Sequence, residues 1–208
     1  MNTNSVILPT AYLGPIAYYR RWWQADTVAI EQWETFPKRT YRNRCRIAGV
    51  NGPQLLTIPV EKCDHHQYTK DVRISYQTPW QQQHWMALRS AYEHTPYFEY
   101  FEDAFRPCYE TQMDYLLDWN ECLQEKVQQV LSLSRWPIDD LPSVTRTCTW
   151  TSPISETVWG DSTEEFEPYY QVFSDRHGFQ PNLSIVDLLF NMGPEGLLYL
   201  TKQGQIEK

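Results

Sequence analysis

Five bases fall within nine residues of this chain: Lys38, Arg39, Arg42, Arg44 and Arg46, in KRTYRNRCR. Side chains alternate between the two faces of a β-strand, so a strand here points Arg42, Arg44 and Arg46 to one side. Forked guanidinium donors on a common face suit a phosphate or pyrophosphate. Lys38 and Arg39 would lie in the preceding loop, and the phosphate-binding set read from the sequence is Lys38, Arg39, Arg42 and Arg44. The same residues also fit an edge strand protected by its charges, or ion pairs to acids elsewhere in the chain. Both readings stand at this point. Cys45, flanked by Arg44 and Arg46, has a setting that lowers a thiol pKa, although such a cysteine is more often a small apolar filler.

Two histidines are candidates for proton transfer. His177 lies in DRHGF, a loop just before a helix start, where function concentrates and anions are attracted. His84 shares a helix face with Trp80 and Leu88, which suits either a general base or a hydrogen-bonded core histidine. The run Cys63-Asp64-His65-His66 has metal-binding residue types, but no second pair stands at ligand spacing, so a solvated loop is expected and no metal site. The glycine-rich nucleotide motifs, G-x-S-x-G and H-E-x-x-H are all missing, which removes support for the commonest nucleotide hydrolases, dinucleotide oxidoreductases, α/β-hydrolases and zincins. With only 8 Gly, an anion would be held by side chains, and no cofactor is expected.

The elements that must position these groups read as an α/β fold: a small mixed sheet with a basic β-hairpin, and a helical middle and C-terminal part. Val6 to Leu8, the helical spacing of Ile16, Tyr19 and Trp23, and Thr27 to Trp33 give strand, loop, helix, strand. NRCRIAG and QLLTIPV flank Asn51-Gly52, the strongest short hairpin signal. After a polar loop, DVRISY reads as a further strand. Thr78-Pro79 opens a helix that stops before Pro96. A second runs from a capping box at Thr111 to about Leu133. Residues 134–170 read as a mobile or exposed connection around a strand at Val144 to Trp150. The tail is a helix capped by Ser184 and Asp187 and stopped by Gly193-Pro194.

The 208 residues fit a single domain spanning 1–208. The net charge of −8 is polarised: residues 1–60 carry 7 Lys+Arg against 3 Asp+Glu, and the remainder 11 against 23. An acidic chain with one basic island does not suit general nucleic-acid binding, which asks for a broad basic surface. No segment has the length and apolarity of a membrane span or a secretory signal, so a cytoplasmic protein is expected. The five cysteines are odd in number and irregularly spaced, and read as reduced thiols. The 9 Trp, 14 Tyr and 8 Phe supply either buried area or stacking surfaces for sugar and base, and composition does not separate those uses.

Several of these elements together resemble the WbqC-like protein family. They are Pro9-Thr10-Ala11-Tyr12-Leu13-Gly14-Pro15, the Tyr-rich helix ending in Ala25-Asp26, K-R-x-Y-R-N-R at 38–44, N-G at 51–52 and L-x-x-P-V at 56–60. W-x-x-x-H from Trp80, A-Y at 91–92 and P-Y-F at 96–98 continue the match, as does H-G-F-x-P-N-L-S-I-x-D-L-L-F-N-x-G-P at 177–194. The resemblance covers nearly the whole chain except 134–165. It implies a bacterial protein connected with surface polysaccharide, where amino-sugar nucleotides are built and modified. The family usually places Gln before the first proline; Leu8 stands here, which removes an amide from any ligand contact.

The reading that follows is an enzyme acting on a nucleotide-linked amino sugar, by acyl or aminoacyl transfer to a sugar amine. The basic set would hold phosphates and His177 or His84 would take the amine proton. Tyr12, Trp33 and Tyr41 would stack, with Asn43, Asn182 and Ser184 as further substrate contacts. The alternative is a non-catalytic scaffold whose basic hairpin docks an acidic acyl-carrier protein.

Overall fold

A computed structural model describes residues 5–64, 66–131 and 165–202. Strand β1 (Ser5–Pro9), helix α1 (Ile16–Gln24) and strand β2 (Thr27–Glu31) form a βαβ unit, with β1 and β2 parallel and Ser5 opposite Thr27. The hairpin follows: β3 (Arg44–Ile47) runs antiparallel to β4 (Gln54–Thr57), pairing Arg44 with Thr57 and Ile47 with Gln54. The small β component is thus two separate ladders, one parallel and one antiparallel. Gly52 turns the hairpin at φ 108°, a conformation that side chains with a Cβ rarely adopt.

Three expectations need correction. DVRISY is not a strand: a 3-10 turn at Thr69–Asp71 leads into isolated bridges that set Arg73 opposite Tyr115 and Ile74 opposite Val60, the Arg73 carbonyl accepting from the Glu61 amide and the Ile74 amide donating to the Asp114 carbonyl. The capping box at Thr111 does not form, because Thr111 ends the preceding helix and its hydroxyl donates to the Pro107 carbonyl. Asp187 does not cap the tail helix with Ser184; both side chains are committed elsewhere. The strand read at Val144 to Trp150 and most of the 134–170 connection lie outside the described residues.

The helical part holds α2 (Trp80–Tyr92), α3 (Phe98–Glu110), α4 (Leu116–Val130), α5 (Ser174–His177), α6 (Ile185–Met192) and α7 (Glu195–Lys202). Helix α3 was not read from the sequence, although Phe98, Phe101, Phe105 and Cys108 recur at helical spacing and are buried. The helix contains Pro107. It falls in the last turn, where a single ladder bond is lost. Gly193 ends α6 at φ 56°, and a Cβ there would meet the Tyr97 ring at 2.5 Å; after Pro194 the chain enters α7 at Glu195.

The aromatic side chains build the core. Phe190 of α6 receives the rings of Tyr92, Phe98 and Phe105 at 5.1–5.9 Å between centroids, and Trp119 of α4 meets Trp80 and Tyr109 edge-on. Such geometry adds to the area these rings bury. Trp22, Trp80 and Trp119 are among the largest fully buried side chains. No described helix is long and apolar enough to cross a membrane.

Between α3 and α4, the thiols of Cys108 and Cys122 approach to 2.7 Å. Cys108 is buried and Cys122 half-buried, and burial pushes the Cys108 thiol up to about 12. The pair is expected to close to a disulfide under a thiol oxidant such as diamide. Mass spectrometry after alkylation would then show both sites protected, and protection of Cys108 lost in Cys122→Ser. Alkylation of both thiols after oxidation would contradict the pairing.

Candidate functional site

Sequence alternation places Cys45 and Ile47 inward and Arg44 and Arg46 outward on β3, as the burial pattern shows. Arg42 precedes the strand and does not share their face. It is 3% exposed; its Nε donates to Glu34 Oε1 and its Nη2 to Glu34 Oε2, both at 2.5 Å, with a further bond to Thr40. A bidentate partner occupies the fork that a phosphate would need, so Arg42 leaves the phosphate set. Lys38 and Arg39 are exposed in the turn before it, with Arg39 at φ 64°.

Arg44 is half-buried at the start of β3, and its Nε is buried with no acceptor. Partial burial first, and the Arg39 charge second, hold the Arg44 guanidinium below its usual range. Among the described residues, Lys38, Arg39, Arg44 and Arg46 have no carboxylate partner. Arg46 Nη2 donates to the Pro181 carbonyl, and its charge lies beside Tyr41. Lys38 and Arg39 in the turn and Arg44 at the open end of the hairpin are thus cations without a carboxylate partner among the described residues.

Against the hairpin lies a buried hydroxyl chain. Tyr12 is fully buried in the β1–α1 loop, and its hydroxyl lies 3.0 Å from His84 Nδ1 and 3.0 Å from the Tyr109 hydroxyl. The other His84 nitrogen faces the carbonyl of Thr57, the residue paired with Arg44. A carbonyl can only accept, which places the ring proton on that nitrogen and leaves Nδ1 to accept from Tyr12. Tyr12 then accepts from Tyr109. Burial holds His84 down to about 4, so the ring is neutral at pH 7. Cys45 is fully buried beside Tyr12 and burial pushes its thiol well up, which makes it a filler and not a nucleophile.

The remaining sequence candidates are dispersed. His177 Nε2 donates to the Val50 carbonyl at the hairpin turn, separated from Arg44 by roughly 20 Å of extended chain. Asn182 sits at φ 53° and its Oδ1 caps the Ala17 amide of α1, while Ser184 donates to the Leu13 carbonyl. Together with Leu183, which accepts from the Ile16 amide, they close the first βα turn that would otherwise attract an anion. Asn43 Nδ2 donates to the Ile58 carbonyl. Trp33 is 63% exposed and carries Lys70 over its ring at 3.8 Å. Leu8, where the family usually has Gln, is fully buried on β1. Among the described residues no three His, Cys, Asp or Glu side chains are grouped to hold a metal ion; His65 lies outside them.

Sequence reasoning missed two sets of residues. One is Tyr109, which lies on the unread helix α3. The other is a buried carboxylate: Asp187 accepts from Tyr92, Tyr169 and Gln171, and Tyr92 also accepts from the Ala48 amide of the hairpin. Burial raises its carboxyl from 3.8 to about 6 despite three donors that pull it down.

Comparison with known proteins gives one family and one curated relative. The model of the WbqC-like protein family matches residues 10–147. An uncharacterised protein of Mycobacterium tuberculosis is 28% identical over 197 aligned residues, covering 79% of this chain and 83% of the relative. No solved structure matches the chain.

Proposed function

The chain belongs to the WbqC-like protein family, and from that premise we propose that it is an enzyme acting on a nucleotide-linked amino sugar, with the diphosphate held by Lys38, Arg39 and Arg44. The observation that carries this reading is that Lys38, Arg39 and Arg44 have no carboxylate partner among the described residues, while the Arg44 Nε is buried with no acceptor. Two repelling guanidinium groups lower their energy by sharing an anion. Tyr41 offers the adjoining ring for the base or sugar, and acyl or aminoacyl transfer to the sugar amine is the reaction class. His84 reaches Thr57, the ladder partner of Arg44, but both its ring nitrogens are engaged, so it would take the amine proton only by relay through Tyr12; His177 is the farther candidate. A cytoplasmic location belongs to this proposal, because nucleotide sugars are made there.

Thermal unfolding with a panel of UDP- and GDP-sugars tests the proposal. A ligand at about a hundred times its Kd adds ~2.7 kcal/mol, a shift of several degrees. Arg44→Ala should abolish that shift without lowering the ligand-free midpoint by more than about a degree, since a half-buried cation without an ion pair or an acceptor for its Nε contributes little to folding. No shift with any member of the panel overturns the reading. The exposure of Lys38 and Arg39 favours a second one, docking of an acidic acyl-carrier protein, which would show as complex formation lost in the same variant.

A further inference from the structure

Of the two thiols that meet between α3 and α4, Cys108 is 3% exposed and Cys122, 2.7 Å away, is only half-buried. We infer that Cys122 is a modification site for low-molecular-weight disulfides and that Cys108 is its resolving thiol, so that the pair closes and reopens with the thiol–disulfide balance around the protein.

Three observations divide the roles. The first is access: an external disulfide must be approached from solvent, and Cys122 is the more open of the two. The second is the setting of Cys108. Burial first, and the Cys122 thiol beside it, push Cys108 up, with the Lys126 charge working against them. A buried, protonated thiol is inert toward external reagents and reacts with a sulfur already at its side. The third is the support of the contact. Tyr109, next to Cys108, meets Trp119, one helical turn before Cys122, edge-on at 5.4 Å, so packing holds the two sulfurs opposite one another. Neither other described cysteine has this arrangement: Cys45 is fully buried beside Tyr12, and Cys63, half-buried, bonds to the Glu61 carbonyl.

The exchange balances. Cys122 gives its proton to water and attacks one sulfur of RS–SR; the bond from Cys122 to that sulfur forms, the RS–SR bond breaks, and the departing RS⁻ takes a proton from water. Cys108 Sγ then attacks the Cys122 sulfur, its proton passing to the second departing RS⁻. Two protein thiols are oxidised to one disulfide, and RS–SR is reduced to two RSH. Excess RSH runs the sequence backwards, so the pair cycles where free thiols are abundant. Closed, it ties α3 to α4 beside Tyr109, whose hydroxyl continues through Tyr12 to His84. That this tie bears on catalysis rests on the proposed function. The sulfur chemistry does not, and it is read by mass, so the two fail separately.

Glutathione disulfide is the probe, applied to the full chain, with alkylation after an acid quench and peptide mapping by mass spectrometry. In the parent, the Cys108 and Cys122 peptides should be joined with no glutathione retained on either, and excess reduced glutathione should free both. Cys108→Ser should trap one glutathione on Cys122, and Cys108→Ala repeats the trap if serine disturbs folding. In Cys122→Ser, modification of Cys108 should be at least about tenfold slower than that of Cys122 in Cys108→Ser, as its burial requires. Cys63 serves as the internal contrast, a half-buried thiol that keeps its adduct. Glutathione retained on Cys122 in the parent, equal rates at the two cysteines, or modification of Cys63 with the pair left reduced would each overturn the assignment.

Discussion

Glu34→Gln is expected to destabilise the protein by about 3 kcal/mol, the low end for removing one partner of a buried ion pair. Arg42 is buried on all sides, its side chain 4% exposed against 26% for Glu34. The cost arises from the guanidinium left behind, which keeps its charge and cannot reach water. Glutamine can still accept from one nitrogen, so the fork loses its charge partner and half of its geometry. The segment concerned carries more than one contact: Asn120 Nδ2 donates to the Arg42 carbonyl, and Asn43, the next residue, exchanges bonds with Ile58. Loosening it therefore loosens the entry to β3. A paired change, Glu34→Gln with Arg42→Met, should cost clearly less than the sum of the two single changes, because no charge is then stranded. Urea unfolding of the four proteins checks this. Additive losses would mean that Arg42 has solvent access, and would return it to the set of available phosphate ligands.

The second large effect is on the pH dependence of stability, where two buried groups oppose one another. Folded His84 titrates at about 4 against 6.5 when free. Below pH 6.5 the unfolded chain takes a proton that the folded ring refuses, so stability falls as pH drops, by about 3 kcal/mol once about pH 4 is reached. Asp187 works the other way. Its folded carboxyl titrates at about 6 against 3.8, so between these values the folded state holds the extra proton. Stability then rises as pH drops, again by about 3 kcal/mol. In the parent protein the two slopes largely cancel between about pH 4 and 6. His84→Gln should expose the Asp187 slope, making the variant more stable at about pH 4.5 than at pH 7 relative to the parent. Asp187→Asn should expose the His84 slope and steepen the loss in acid. Chemical unfolding at several pH values reads both. Profiles of the two variants that run parallel to the parent would show that neither group titrates as its burial requires.

Much of the local structure was legible because it rests on local rules. The βαβ opening follows from apolar spacing and Gly-Pro punctuation, the hairpin from Asn51-Gly52, and α2 from the recurrence of Trp80, His84, Leu88 and Ala91. Errors came where a distant partner overrode a local preference. Ser184 and Asp187 have the spacing of a capping pair, yet burial against Leu13 in one case and Tyr92 and Tyr169 in the other gives each a stronger bond than the helix end offers. Pro107 is a breaker by type and harmless by position. Arg42 has the period of Arg44 and Arg46 but lies just before the strand, so the alternation that governs the other two does not reach it.

By itself, then, the sequence determined the basic island, the acidic remainder of the chain and the family likeness, since each is written in residue types and short spacings. Tertiary structure alone decided which cations are free. Arg42 lost its freedom to Glu34, eight residues away, while Arg39 and Arg44 kept theirs because no carboxylate among the described residues pairs with them. It also decided the use of the aromatic residues, most of which fill the core, and it joined Tyr12, His84 and Tyr109 from three elements far apart in the chain. Hydrogen bonds and desolvation act through space, and their partners are set only when the chain has closed on itself.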